Sequence, residues 1–153
     1  MPGASPSVRW TEEEALLRGA FALRVEVFCI EQGVPRELEL DGRDADARHL
    51  VALDQATGEV IGTLRLLRDD ETAKVGRVAV RRSFRRRGVA SRMLRMAVDR
   101  AATEGCIRAR LAAQTTALQV YEGAGFAVES EPFQEAGIEH VWMGRELTGG
   151  ASP

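Results

Sequence analysis

Apolar residues recur along the chain with two periods. Over residues 15–28 they fall at helical spacing, with Leu16, Ala20, Leu23 and Val27 on one face. Thr11 and Glu14 stand at capping-box spacing, with Trp10 placed to staple onto the first turn. The pattern predicts an opening amphipathic helix that stops near Gln32-Gly33-Val34-Pro35. A second helical stretch follows Gly88. Ala90, Met93, Leu94, Ala97, Val98 and Ala101 share one face, Arg92, Arg95, Asp99 and Glu104 take the other, and Gly105 ends it.

Short apolar runs bounded by turn residues predict strands over 49–53, 60–67, 73–80, 107–112, 126–131 and 138–146. A short helix is expected over 116–122, broken by Gly123 and Gly125. Adjacent hairpins make the first strands antiparallel, and the helix-to-strand step after Gly88 implies a crossover and hence some parallel pairing. Residues 36–48, with Glu37, Glu39, Asp41, Asp44 and Asp46, read as an acidic, irregular connector. The class is α+β, a mixed, mostly antiparallel sheet with helices on it.

A chain of 153 residues fits one domain. Residues 10–147 are expected to form it, with 1–9 as a flexible arm and 148–153 as a flexible tail. Lys plus Arg number 21 against 23 Asp plus Glu, a net charge of -2, which argues against a nucleic-acid partner bound by bulk charge. No apolar run approaches the ~20 residues of a membrane span, and the start lacks a basic segment followed by an apolar one. A cytoplasmic protein with no membrane partner is expected. Cys29 and Cys106 form no CxxC and are expected to be reduced; with two histidines they make a metal site unexpected.

The chemistry concentrates in Val78-Ala79-Val80-Arg81-Arg82-Ser83-Phe84-Arg85-Arg86-Arg87-Gly88-Val89-Ala90. A strand ends, an arginine-rich loop follows, and Gly88 opens a helix. A helix N-terminus presents unpaired backbone N–H groups and partial positive charge, which suits a pyrophosphate. Small residues at 88 and 90 let the backbone approach phosphates closely, and the arginines add charge-assisted bonds. Neither the GxxxxGK[ST] phosphate loop nor the GxGxxG dinucleotide fingerprint is present.

Arg85-x-x-Gly88-x-Ala90 after Arg77-Val78-Ala79-Val80 resembles the cofactor motif of the GCN5-related N-acetyltransferase (GNAT) superfamily. Tyr121-Glu122-Gly123-Ala124-Gly125-Phe126 is similar to that family's Tyr-x-x-x-Gly-Phe signature, and Gln114 falls where the family often places an amide that contacts the cofactor. Phe28-x-x-Glu31-Gln32-Gly33-Val34-Pro35-x-x-x-Glu39-x-Asp41 and Glu135-Ala136-Gly137-Ile138-Glu139-His140-Val141 resemble the ElaA-like subgroup.

The resemblance implies a twisted sheet with helices on both faces and an acetyl-CoA-dependent N-acyltransferase that acetylates a primary amine by direct attack. It implies that Arg85, Arg86, Arg87, Gly88, Val89 and Ala90 hold the pyrophosphate. Val78, Ala79 and Val80 would bond the pantetheine arm, and Gln114 would contact the cofactor. Tyr121 would act on the departing thiolate, and Glu31 and Asp41 would flank the acceptor. A catalytically weak acyl-CoA sensor or interaction module is the other reading, and exposed strand edges permit a homodimer. Read without the resemblance, the arginines are a solvated surface or a nucleic-acid patch, and Tyr121 is a half-buried packing residue. On the same terms the acidic connector is a solvated loop, and His49 and His140 are structural or surface histidines rather than bases.

Overall fold

The apolar runs assemble into one eight-stranded sheet in the computed structural model of the chain, which describes residues 4–147. Its strands are β1 (Ser7–Thr11), β2 (Arg48–Leu53), β3 (Val60–Asp69), β4 (Thr72–Val80), β5 (Arg108–Gln114), β6 (Ala127–Val128), β7 (Phe133–Glu135) and β8 (Ile138–Glu146). They lie in the order β1-β2-β3-β4-β5-β8-β6, with β7 also on β8. All these pairings are antiparallel except β4 with β5, the crossover expected from the helix between them. The helices are α1 (Glu14–Arg24), α2 (Arg36–Glu39), α3 (Val89–Thr103) and α4 (Leu118–Gly123).

Strand alternation divides the interior in two. Leu50 and Ala52 of β2 join Met93, Leu94 and Ala97 of α3 in one core. Val51 and Leu53, pointing the other way, join Ala20, Leu23 and Val27 in a second. Helices therefore cover both faces, as the family resemblance implied. Leu94 and Leu23 are fully buried, and burial of such a side chain contributes about 1.5–3 kcal/mol. α1 packs over β2, β3 and β4, and the same face of β5 and β8 lies beyond it.

The N-terminal expectations need correcting. Ser7, Val8 and Arg9, read as part of a loose arm, pair with Leu53, Ala52 and Val51 in β1. Of the expected arm and tail, residues 1–3 and 148–153 lie outside the described residues. The same pairing takes Trp10 and Thr11 into the strand, so the capping box does not form. Glu13 is the N-cap of α1 without a side-chain cap, and its N–H donates to Thr11 Oγ1 at 3.0 Å. Trp10 packs on the α3-side core under the Arg100 guanidinium, 5.0 Å from its ring centre.

α1 does not end where its apolar stripe ends. It widens into a seven-residue π-helical segment, Val25–Glu31, closed by Gln32 N–H on the Val27 carbonyl at 3.2 Å. Long π-helical stretches are rare and cluster at functional sites. The connector expected to be irregular holds α2 and a 3₁₀ turn at Asp44–Asp46. The strand expected over 126–131 shrinks to β6, and β7 was not foreseen.

Candidate active site

β4 and β5 pair only over Thr72–Lys74 and Arg108–Arg110. Beyond that point β4 continues to Val80 and β5 to Gln114 without touching as strands, which leaves a slot through the sheet. A β-bulge bends β4 there: Thr63 faces Ala79 and Arg65 faces Gly76, so β4 carries one residue more than β3. Arg77 in the bulge has φ 52°, a left-handed conformation costing a non-glycine residue about 1–2 kcal/mol. Its guanidinium is tied down in compensation, Nη2 donating to the Glu39 carbonyl at 2.8 Å and Nε to the Glu39 carboxylate at 3.0 Å.

The bulge sets which amides face the slot. Arg81 N–H donates to the Ile61 carbonyl at 2.8 Å, so by alternation Ala79 bonds toward β3 while Val78 and Val80 present their N–H groups to the slot. The Val80 carbonyl, on the same side, accepts from Arg85 Nε at 2.8 Å. Two backbone donors are thus left along an edge that no strand covers.

The edge leads into the arginine loop. Arg82–Phe84 makes a 3₁₀ turn, Arg86 and Gly88 take left-handed φ of 64° and 77°, and α3 starts at Val89. The first helical bond runs from Arg92 N–H to the Gly88 carbonyl at 3.0 Å, so the amides just before it have no helical partner. No side chain caps this end and its first turn holds no acidic residue. A Cβ on Gly88 would meet nothing within 4 Å; backbone conformation demands the glycine there, and the space beside it is open.

The arginines divide their work. Arg86 and Arg87 are exposed, Arg87 over the Phe84 ring at 5.3 Å. Arg85 is engaged: besides Val80 it binds both oxygens of Glu31 through Nη2, at 2.7 and 3.0 Å. The arginine loop is thereby tied to the end of the π-helical segment. Next to Glu31, Gln32 pairs with Gln114 at the end of β5.

Asp41 sits in a charge network with three arginines. Arg65 binds its carboxylate with both terminal nitrogens, the Nη1 bond at 2.8 Å, and Arg77 approaches at 3.4 Å. Those hydrogen bonds hold the Asp41 carboxyl well below the usual carboxylate range. Arg24, 1% exposed, binds Glu39 at 2.5 Å and Asp44 at 2.8 Å. Burial alone would raise the Asp44 pKa, but Arg24 and Arg65 overcome that and lower it. Arg24, Arg65 and Arg77 thus balance Glu39, Asp41 and Asp44, fastening α2 and its neighbours to the sheet.

Tyr121 packs on the α3-side core, and its hydroxyl has no hydrogen-bond partner among the described residues. Burial pushes its pKa up to about 12, so it is protonated at neutral pH. Two cavities, about 440 and 690 Å³, lie around Glu104 and Cys106 and around Trp10 and His49; neither is lined by a slot or loop residue. Among the described residues no helix is long and apolar enough to cross a membrane, and no group of three or more His, Cys, Asp or Glu could hold a metal.

Sequence reading gave no role to Gln32 or Arg77, although both stood inside the quoted motifs.

The chain is similar to known proteins in sequence and fold. A family model described as an acetyltransferase (GNAT) domain matches residues 11–147. YjcF, an uncharacterized N-acetyltransferase of Bacillus subtilis strain 168, is 37% identical over 134 residues, covering 86% of this chain and 94% of that protein. The crystal structure of Escherichia coli ElaA matches with a TM-score of 0.81 and 25% identity, over 94% of this chain and 100% of that one. A Bacillus subtilis acetyltransferase solved in complex with CoA has a TM-score of 0.70, covering 93% of this chain and 99% of that one. At 17% identity the last is a likeness of fold alone.

Proposed function

The chain belongs to the acetyltransferase (GNAT) family, and on that premise we propose that it moves an acetyl group from acetyl-CoA to a primary amine by direct attack. The observation that carries the reading is the uncovered edge of β4, whose Val78 and Val80 amides run straight into an uncapped, acid-free helix N-terminus. An extended, amide-bearing arm ending in a pyrophosphate matches both in one piece.

Acetyl-CoA supplies the activated thioester. Val78 and Val80 bond the pantetheine arm as a neighbouring strand would, and the same row of donors can receive the carbonyl oxygen as it gains negative charge. The amides at the start of α3, with Arg86 and Arg87, hold the pyrophosphate. Gln114 bonds the cofactor from the opposite wall.

Tyr121 donates a hydrogen bond to the departing sulfur. Full proton transfer from a hydroxyl at about 12 to a thiolate whose thiol lies near ~8.5 is uphill by roughly 5 kcal/mol, so the hydroxyl stabilises the thiolate rather than protonating it. Glu31 and Asp41 take positioning roles: Glu31 braces Arg85, and Asp41 is held as a carboxylate by Arg65 and makes a poor base.

Titration of acetyl-CoA by calorimetry, followed by an assay of thiol release with a panel of primary amines, tests the reading. Saturable binding and amine-dependent release of CoA are expected. Binding without release across the panel would point to an acyl-CoA-binding module instead, and no binding would end both readings.

A further inference from the structure

The amine must lose a proton before it attacks, and Glu31 and Asp41 are both engaged by arginine. A third group is better placed. Val141 and Met143 of β8 point into the α3-side core, so His140 and Trp142 point to the opposite face of the sheet. That is the face on which α1 and the π-helical segment lie, beyond the strands α1 covers. An acceptor arriving there meets the slot from the side opposite the pyrophosphate loop.

His140 lies on β8, directly behind β5, the strand that walls the slot. It stands directly across from Gln114, the last residue of β5, one interstrand spacing of ~4.8 Å from the open edge. One face of its ring is covered. Phe133 stacks on it with centres 5.9 Å apart, and Phe133 in turn stacks on Trp142 at 5.5 Å.

Nδ1 is 2.7 Å from the Ile138 carbonyl, which can only accept, so Nδ1 carries the proton and the Nε2 lone pair is free in the neutral ring. His140 is 7% exposed, and Nε2 has no partner among the described residues yet is not sealed from solvent. A buried imidazole with a fixed tautomer, an idle acceptor nitrogen and a solvent path has the properties of a base and no structural need for its second nitrogen.

We propose that His140 is the general base of the transfer. This rests on the acyltransferase reading. Nε2, directly or through one water, takes a proton from the acceptor's ammonium. The freed lone pair forms the new C–N bond as the C–S bond breaks and its electrons leave with sulfur. The extra proton on the new amide nitrogen passes to the thiolate, which leaves as the thiol, and His140 returns its own proton to solvent. The charged groups around the imidazole are Glu139 beside it on β8, Glu135 on β7, Glu31 next to Gln32 across the slot, and Lys74 and Arg110 against Trp142.

The test compares wild type, His140→Ala and His140→Asn, the last keeping a side-chain N–H donor where Nδ1 supplied one. Each is titrated with acetyl-CoA and then assayed for thiol release with phenethylamine from pH 6 to 10.5. We expect acetyl-CoA affinity within about twofold of wild type and kcat/KM lowered ~10²–10⁴-fold at neutral pH. The deficit should shrink toward pH ~10.4, where the amine deprotonates unaided, and added imidazole should restore rate to His140→Ala. Variants with wild-type rates at every pH, or a deficit independent of pH and untouched by imidazole, would overturn His140 as base while leaving the transferase intact. Wild type that binds acetyl-CoA but releases no thiol would overturn the transfer reading, and the base with it.

Discussion

Gln32 and Gln114 exchange side-chain hydrogen bonds across the mouth of the slot, Gln114 Nε2 to Gln32 Oε1 at 2.9 Å and Gln32 Nε2 to Gln114 Oε1 at 3.4 Å. The pair joins the π-helical segment to the end of β5 over 82 residues of sequence. Both amides are polar and exposed, so the pair contributes at most about 1 kcal/mol to stability and is readily exchanged for a ligand. Gln114→Ala should therefore weaken acetyl-CoA binding about 5–10-fold by calorimetry, and Gln32→Ala should leave it within about twofold. Equal losses in both variants would mean that the pair itself, and not Gln114 as a ligand, shapes the site.

Tyr121→Phe removes a hydroxyl that has no hydrogen-bond partner among the described residues. Melting temperature and acetyl-CoA affinity should stay at wild-type values while kcat falls ~10–100-fold, the signature of an interaction used only as the thiolate develops. Unchanged kcat would remove Tyr121 from the chemistry.

Gly88→Ala separates backbone from space. The new methyl meets no protein atom, so its cost is the left-handed φ of 77°, about 1–2 kcal/mol, and the protein should remain folded with a melting point a few degrees lower. Acetyl-CoA affinity should drop at least ~10-fold, because the methyl occupies the open space assigned to the pyrophosphate. A folded variant that binds normally would move the pyrophosphate elsewhere.

The arginine–carboxylate network predicts stability and its pH dependence. Arg24→Ala strands buried Glu39 with Arg77 alone and should cost about 3–5 kcal/mol in urea unfolding. Asp41 is about one-third exposed, and Asp41→Asn should cost only about 1–2 kcal/mol. The folded Asp41 and Asp44 values lie below the ordinary 3.8, so the unfolded chain takes up their protons first as pH falls. Their stabilisation is full above about pH 5 and drains away as pH drops below 3.8 toward the folded values. In Asp41→Asn this acid loss should be shallower; an unchanged slope would refute the assignment.

What was legible in the chain follows from what is local. The stripe from Val89 to Ala101 became α3, the run at Ile138–Glu146 became β8, and left-handed Gly88 stands where the loop motif required it. What escaped depends on distant partners. Ser7–Arg9 are strand only because β2 offers an edge, and that pairing dissolved the capping box read at Thr11 and Glu14. The bulge puts its left-handed φ on Arg77, not on the neighbouring Gly76, and is held by Glu39, 38 residues away. Glu31 reads as a free carboxylate until Arg85, 54 residues on, is seen to hold it. His140 reads as one more strand residue until Phe133 and the Ile138 carbonyl are seen to fix its ring.

The central claim is that one molecule of acetyl-CoA lies along the free edge of β4 with its pyrophosphate at the start of α3. Amide NMR of the full chain during an acetyl-CoA titration tests it most directly. Saturable shifts of the Val78, Val80, Gly88, Val89 and Ala90 N–H signals at one-to-one stoichiometry are predicted. Saturable binding that leaves those five signals in place would contradict the account.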